Sequence, residues 1–473
     1  MNKKGLFFYV VVPIVLIVVV ATFLHYPIHI QNVLTLEEAP DMLIEISVWR
    51  VLFEPILGLM LYFNRSLYGI MEIEYLLVWI FIGVILITLL KVRTLQHESK
   101  GRFILRKTFN LPVLIGLLFA VFVVMLFLPL PNNRIVNISK NEVLVTTHTH
   151  TEYSHDGLIT QQKLWEWHKR NGFDALFITD HNNHAKTVEF VNKQRSGKLP
   201  ISPLVMAGEE FSGTNHMSLL GLKGNFITKG MADTTIINKV HAGGGAVIIN
   251  HWFDDENMSL DYYKSVGADG FEIENTATDK KYDRGMFDQI KNYCQNNGLI
   301  MNGGLDFHGY GNVCSLWNAF DIPGWDSMSA EDKEASILGI IRNGDQSKLQ
   351  VLMYNDRPFY EKGNLFFRPI ITVFNYFRTL NVWQVLSWAF WLVVFYTALP
   401  FIKQLKADKV ISIVAILTSL FLIGLGINYF IHQRLVPGYT DVYEEYGNIL
   451  VITGGILLAY SLVLSYFRLF RKA

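Results

Sequence analysis

Thr147-His148-Thr149-His150-Thr151-Glu152-Tyr153-Ser154-His155-Asp156-Gly157 ends a strand-like segment, Glu142–Thr149, and decides how the middle of the chain is read. Strand side chains alternate faces, so His148 and His150 point the same way. A carboxylate and a glycine turn follow within a few residues, close enough to complete a metal cluster. Further along stand Asp180-His181-Asn182, Gly208-Glu209-Glu210, His216, Asn250-His251 and Asp306-Phe307-His308. The set is a much stronger metal signal than the His-x-His pair alone.

Strand-like and helix-like segments alternate through this region. After Glu142–Thr149 come Ala175–Thr179, Leu204–Ala207, Met217–Leu222, Ala246–Asn250, Gly270–Glu274 and Leu299–Gly304 as short strands. Helices are expected near Gln161–Arg170, Ala185–Gln194, Thr234–Ala242, Arg284–Asn296 and Ala330–Arg342. Repeated strand-then-helix units argue for an α/β fold with a mainly parallel sheet. Nearly every candidate falls where a strand ends; His216, at a strand entry, is the exception. In a β/α barrel the strand carboxyl ends share one face, so residues far apart in sequence converge there.

With these motifs in place, the region about Asn141–Arg357 resembles the PHP domain, the polymerase and histidinol phosphatase superfamily. The resemblance implies a distorted seven-stranded β/α barrel with a cluster of two or three divalent metals. It rests on His148-Thr-His150, Ser154-His155-Asp156-Gly157, Thr179-Asp180-His181-Asn182, Gly208-Glu209-Glu210, Asn250-His251 and Asp306-Phe307-His308. Carried over by position, it makes His148, His150, Glu209 and Asp306 ligands of one metal. Glu209 bridges to a second metal held by His216 and His251, and Asp156, His181 and His308 hold a third. His155, next to Asp156, is the alternative ligand of the first motif, and Trp252 stands where the family usually has proline.

Imidazole with carboxylate suits Zn, Mn or Fe better than Mg or Ca, which prefer all-oxygen shells. Paired metals activate water and clamp a phosphoryl group, so phosphoester hydrolysis is the expected reaction. Glu209 and Asp306 are the expected catalytic carboxylates, Asp306 as a water-orienting group. Asp180 and Glu210 read as supports that orient histidines. Glu272 and Glu274 read as pocket-mouth residues or a solvated strand end, and His155, His168, His184 and His241 as ordinary polar residues. No Walker A loop, Rossmann fingerprint or nucleophile elbow occurs; Gly243-Gly244-Gly245 reads as a turn.

The chain has 473 residues, of which 51% are apolar, more than a soluble enzyme usually carries. Six apolar runs reach the length of a bilayer-crossing helix: Gly5–Leu24, Tyr75–Val92, Leu111–Leu130, Val382–Ile402, Val410–Ile431 and Ile449–Phe467. The expected organisation is a membrane block over 1–130, a metallohydrolase domain over 131–363, an interfacial helix over 364–380 and a second membrane block over 381–473. Gly5–Leu24 is too long for a signal-peptide core and reads as an anchor. Val48–Phe63 carries Arg50, Glu54 and Pro55 and reads as interfacial or re-entrant.

Basic residues cluster at 91–107, at 403–409 and at both termini, while His25–Val48 carries acids only. The positive-inside rule then places both termini in the cytoplasm and the catalytic domain outside; if Val48–Phe63 spans instead, the amino terminus lies outside and the catalytic domain is still outside. A multi-pass protein of a bacterial plasma membrane is expected. Cys294 and Cys314 both lie in the central domain and either pair or stay as buried thiols. That domain has an acid excess of about seven, unlike a non-specific nucleic-acid binder.

The leading expectation is a membrane-anchored phosphoesterase whose partners are a phosphate-ester substrate and the lipid bilayer. A nuclease or nucleotide phosphatase of the same family is the runner-up. A non-catalytic, metal-stabilised sensor is a further alternative, and a transporter with an accessory domain is disfavoured by the lack of repeated intramembrane charges.

Overall fold

A computed structural model describes residues 3–470 apart from positions 65–66, 96, 225–226, 256–257, 277–283, 312, 358–363 and 405–406. Lys406, Arg471 and Lys472, used above for orientation, and the junction at 358–363 lie outside the described residues.

The described residues form twelve strands: β1 (His29–Asn32), β2 (Met42–Glu45), β3 (Arg134–Asn137), β4 (Glu142–Thr146), β5 (Ala175–Ile178), β6 (Leu204–Ser212), β7 (His216–Leu220), β8 (Ala246–Ile249), β9 (Gly270–Asn275), β10 (Ile300–Gly304), β11 (Leu316–Asp321) and β12 (Leu349–Asn355). Ten form one sheet in the order β1-β12-β11-β4-β5-β6-β7-β8-β9-β10, and β2 pairs with β3 apart from it. Strands β4 to β6 and β8 to β10 run parallel, while β7 is antiparallel to both its neighbours. The expected α/β class stands as a half-barrel, but the sheet has ten strands where seven were expected. The three additions, β11, β12 and β1, are all antiparallel and all extend the β4 edge.

The strands are buried on both faces, as parallel sheets require. One face, with Leu144, Leu176, Ile178, Val205, Ala207 and Phe271, packs under helices contributing Trp165, Phe190, Ile236, Val240, Phe287 and Ile290. The other, with Val143, Val145, Phe177, Leu204, Met206 and Ile248, is plugged by Ile337, Leu338, Ile340 and Ile341 of helix Ala330–Arg342. Cys294 and Cys314 belong to the first core and are free thiols, so they do not pair.

The sheet curls until the chain beyond β10 reaches the end of β4. Asp306 N donates to His148 O and His150 N donates to Phe307 O, both at 2.9 Å. Lower down, Asn318 of β11 fills the gap with a two-way bond to Gly303, at 2.7 and 2.8 Å. This closure sets Asp306 and His308 beside His148 and His150.

Among the described residues, five helices are long and apolar enough to cross a membrane: Glu72–Arg93, Phe103–Phe127, Val382–Phe401, Val410–Gln433 and Val442–Tyr466. The first of the six expected spans is a shorter apolar helix, Phe7–Phe23. Val48–Phe63 breaks at Phe53 into two short helices, neither long enough to cross. In helix Arg368–Arg378 the polarity is inverted relative to a soluble helix. Thr372 and Asn375 are buried while Phe367, Ile370 and Phe374 are exposed. The buried side bonds to Glu72 through Arg368 (3.1 Å) and Thr372 (2.6 Å).

Candidate metal centre

His148 and His150 project together from the end of β4, their Nε2 atoms 3.0 Å apart and both rings fully buried. Asp306 Oδ1 lies 3.2 and 3.1 Å from these two nitrogens, and Glu210 Oε2 lies 3.2 Å from each. Four donor atoms at this spacing surround a point about 2 Å from each, the bond length of a transition metal to nitrogen or carboxylate oxygen. Two further groups adjoin: His150, Asp156, His181 and His308, and His181, Glu210 and His216.

Glu210 is the hub. Its Oε2 faces His148, His150 and His181 (3.3 Å), while its Oε1 faces His216 Nδ1 (3.0 Å) and His251 Nε2 (3.3 Å). Asn250 Nδ2 donates to the same Oε1 at 2.9 Å. Sequence reasoning expected Glu209 to bridge two metals; in the structure it is the next residue, Glu210, that lies among the histidines. Along β6, Val205, Ala207 and Phe211 face the helices, while Leu204 and Met206 face the plugged side. Strand alternation puts Glu209 with the first set and Glu210 with the second. The Glu209 carboxylate is buried against His184 and Thr228, turned away from the cluster.

Asp156 Oδ2 meets His308 Nε2 at 3.0 Å and His181 Nε2 at 3.3 Å, whereas the neighbouring His155 ring is largely exposed. Of the two readings of that motif, the structure gathers Asp156 into the cluster. Ser154 Oγ donates to Asp156 Oδ1 at 2.6 Å. Among the described residues no histidine hydrogen-bonds Asp180; it accepts from Thr151 N (2.6 Å) and Thr151 Oγ1 (2.8 Å) and so fixes the loop after His150. Burial raises its pKa to about 6.

Glu272, expected at the mouth or in solvent, is fully buried. Its Oε1 bonds His148 Nδ1 at 2.8 Å and its Oε2 accepts from His251 N at 2.9 Å. A carboxylate behind an imidazole fixes the tautomer that presents Nε2 to a metal. The adjacent Gly304 admits it, since a Cβ there would lie 2.0 Å from Glu272 Oε1. The signal available in sequence was Glu272 between Phe271 and Ile273 on an expected strand.

The electrostatics of the site favour cations. Among the described residues, no Lys or Arg pairs with Glu210, Asp156, Asp306 or Glu272; only histidines do. Burial opposes charge on His150, yet Asp306 and Glu210 outweigh it and push its pKa up to about 10. His251 is likewise pushed to about 9 despite burial, chiefly by Glu210. Burial also opposes charge on Asp306, but His148 and His308 hold it well below the carboxylate range. His216 Nδ1 is buried with no hydrogen bond, although it lies 3.0 Å from Glu210 Oε1. That geometry suits two donors sharing a metal better than a donor meeting an acceptor. The residues present therefore fit a multinuclear cluster.

Backbone strain concentrates here. Among the described residues, four non-glycine positions have a left-handed backbone, and three, Asn182, His251 and Asp306, stand at strand ends around the cluster. Such conformations persist where a site imposes them.

The α/β half-barrel thus gathers histidines and carboxylates at its strand ends. Residues 146–221 match the family model of the PHP domain. Among solved structures, the chain is similar to a two-domain protein from Bacteroides vulgatus containing a predicted PHP-like metal-dependent phosphoesterase. That alignment has 16% identity and a TM-score of 0.35, covering 45% of this chain and 65% of that one. The chain thus spans just under two thirds of that protein. It is also similar to PsfC from Pseudomonas syringae, with 15% identity, a TM-score of 0.32 and coverage of 44% and 98%. A third is an amidohydrolase from Chromobacterium violaceum, with 14% identity, a TM-score of 0.29 and coverage of 40% and 96%. No curated protein matches the chain.

Proposed function

We propose that this chain hydrolyses a phosphate ester at a cluster of two or three Zn, Mn or Fe ions, from a catalytic domain anchored between membrane helices on the outer side of the membrane. The observation that carries the reading is Glu210, whose two oxygens are each shared by a separate set of histidines. Bound divalent ions supply positive charge to a phosphoryl group and lower the pKa of water. The protein's own part is to hold and aim. His148, His150, Glu210 and Asp306 form one ligand group, His181, His216 and His251 gather with Glu210, and Asp156, His181 and His308 form the third. Glu272 keeps His148 in one tautomer, and Asn275, 3.4 Å from Asp306 Oδ2, steadies the carboxylate that orients the attacking water. The acid excess of the domain favours a small or lipid-borne ester over a nucleic acid.

The full-length protein in detergent tests this through metal content and turnover of p-nitrophenyl phosphate and bis-p-nitrophenyl phosphate. Glu210→Ala is expected to lose metal and at least about 100-fold in kcat/KM, whereas Glu209→Ala keeps its metal. The reverse pattern would return the bridging role to Glu209. A folded protein that takes up no metal would end the proposal.

A further inference from the structure

The cluster reaches the surface at His216, whose side chain is 36% exposed, and along the loop that carries Asp156. The His155 side chain is 71% exposed and that of Asp156 31%, while those of His148, His150 and Glu210 are at most 1% exposed. This lip, Thr151–Leu158, is held from outside by the connection between helices Ala407–Gln433 and Val442–Phe470. Thr440 Oγ1 donates to His155 O at 2.9 Å, the His432 ring bonds the Glu152 carboxylate, and Tyr439 meets Tyr153 edge-on at 4.9 Å. Leu158 is buried among Leu422, Tyr429, Tyr443 and Leu450 of the same helices.

A second ligand, His308, is supported the same way. His308 stacks on Tyr310, which joins Phe127, Tyr429 and Tyr446 in one aromatic group, and Gly311 N donates to Leu126 O at 2.9 Å. Both loops at the mouth thus rest on the ends of three membrane-length helices, at a belt of aromatic rings. Such belts mark the level where spanning helices meet lipid head groups. Exposed Arg434 and Leu435, one cationic and one apolar, edge the connection.

From this placement we infer that the substrate is a phosphoester carried by a membrane lipid. Its phosphate enters at the His155–Asp156 lip while its acyl chains stay in the bilayer. The inference rests on the phosphoesterase reading above and narrows it. Water oxygen forms the new bond to phosphorus, the ester P–O bond breaks, and the proton given up by water ends on the leaving alcohol.

The test uses the full chain in mixed micelles with Mn. Long-chain phosphatidic acid and phosphatidylglycerol are compared with their tail-less counterparts, glycerol 3-phosphate and glycerophosphoglycerol, and with both p-nitrophenyl esters. Expected is a kcat/KM for one of the lipids about tenfold or more above that of its tail-less counterpart, since remote contacts of the substrate raise turnover. That rate should fall as the lipid is diluted within the micelle surface. Leu435→Asp should lower the ratio of lipid to p-nitrophenyl turnover, a ratio insensitive to loss of folded protein. Equal or faster turnover of the tail-less esters overturns the inference, as does p-nitrophenyl turnover with neither lipid cleaved. Metal-loaded protein that cleaves none of these compounds removes the phosphoesterase reading itself, and the lipid inference with it.

Discussion

His168 lies fully buried between Trp167 and Phe173, its Nδ1–H donating to Leu164 O at 2.9 Å and its Nε2 facing no acceptor. Burial lowers its pKa from 6.5 to about 4. Between those values the unfolded chain takes up a proton that the folded chain refuses. The stabilising effect is therefore complete above pH 6.5 and drains away as pH falls toward 4. The loss amounts to about 2 kcal/mol by pH 5. Thermal unfolding at pH 8 and pH 5 should show a larger drop in Tm for wild type than for His168→Gln; equal drops would mean the folded protein accommodates the charge.

At the same scale, the histidines were legible because two-residue spacing and strand ends dictate where they point. Glu209 and Glu210 were not separable by that logic, since adjacent acids on a strand offer one residue to each face. The parity of the following hairpin holds the answer. Ser212 pairs with His216 and Glu210 with Ser218, which puts Glu210 and His216 on one face. A reader who trusts His216 as a ligand is led to Glu210.

At the scale of elements, the decisive piece is the loop between β4 and helix Gln161–Arg170. Glu152 N bonds Ile159 O, Leu158 N bonds His308 O, and Thr160 caps the helix by accepting from Lys163 N. Gly157 lets the loop close, since a Cβ there would sit 1.9 Å from Thr151 O, a backbone atom that cannot swing aside. Gly157→Ala should cost about 1–3 kcal/mol in stability and displace Asp156. Metal analysis should then find fewer ions per chain, with the fold retained by circular dichroism; full occupancy would show that the loop relaxes freely. The motif was plain in sequence, but its outer support was not. His432 reaches Glu152 across 280 residues, and no local pattern reports such a contact.

At the scale of the molecule, the ten-stranded sheet is not a self-contained insert. Strand β1 pairs with β12, and Ile30, Val33, Leu34 and Met42 join the principal core, all from the region assigned by sequence to the first membrane block. Seven strands were legible as apolar runs between turn signals. Strand β1 has only four residues, including His29, Gln31 and Asn32, and follows a membrane-like segment that hides it. An excised 131–363 fragment would bare the β12 edge and lose burial of four side chains, each contributing about 1.5–3 kcal/mol as an upper estimate. That is comparable with the whole stability of a domain. The fragment should therefore aggregate or melt early, and a linker-fused version carrying residues 28–46 should melt higher. Equal Tm values would show that the strand is dispensable.

That edge strand also orders events in time. His29 leaves the ribosome 326 residues before its partner Asn355. At about 5–20 residues per second the interval is roughly 15 to 65 s. Throughout it the nascent strand must wait beside the membrane while the intervening helices insert and the rest of the sheet is made. The last rib added to the sheet is thus the first one synthesised, and its edge cannot be completed until about two thirds of the chain has followed.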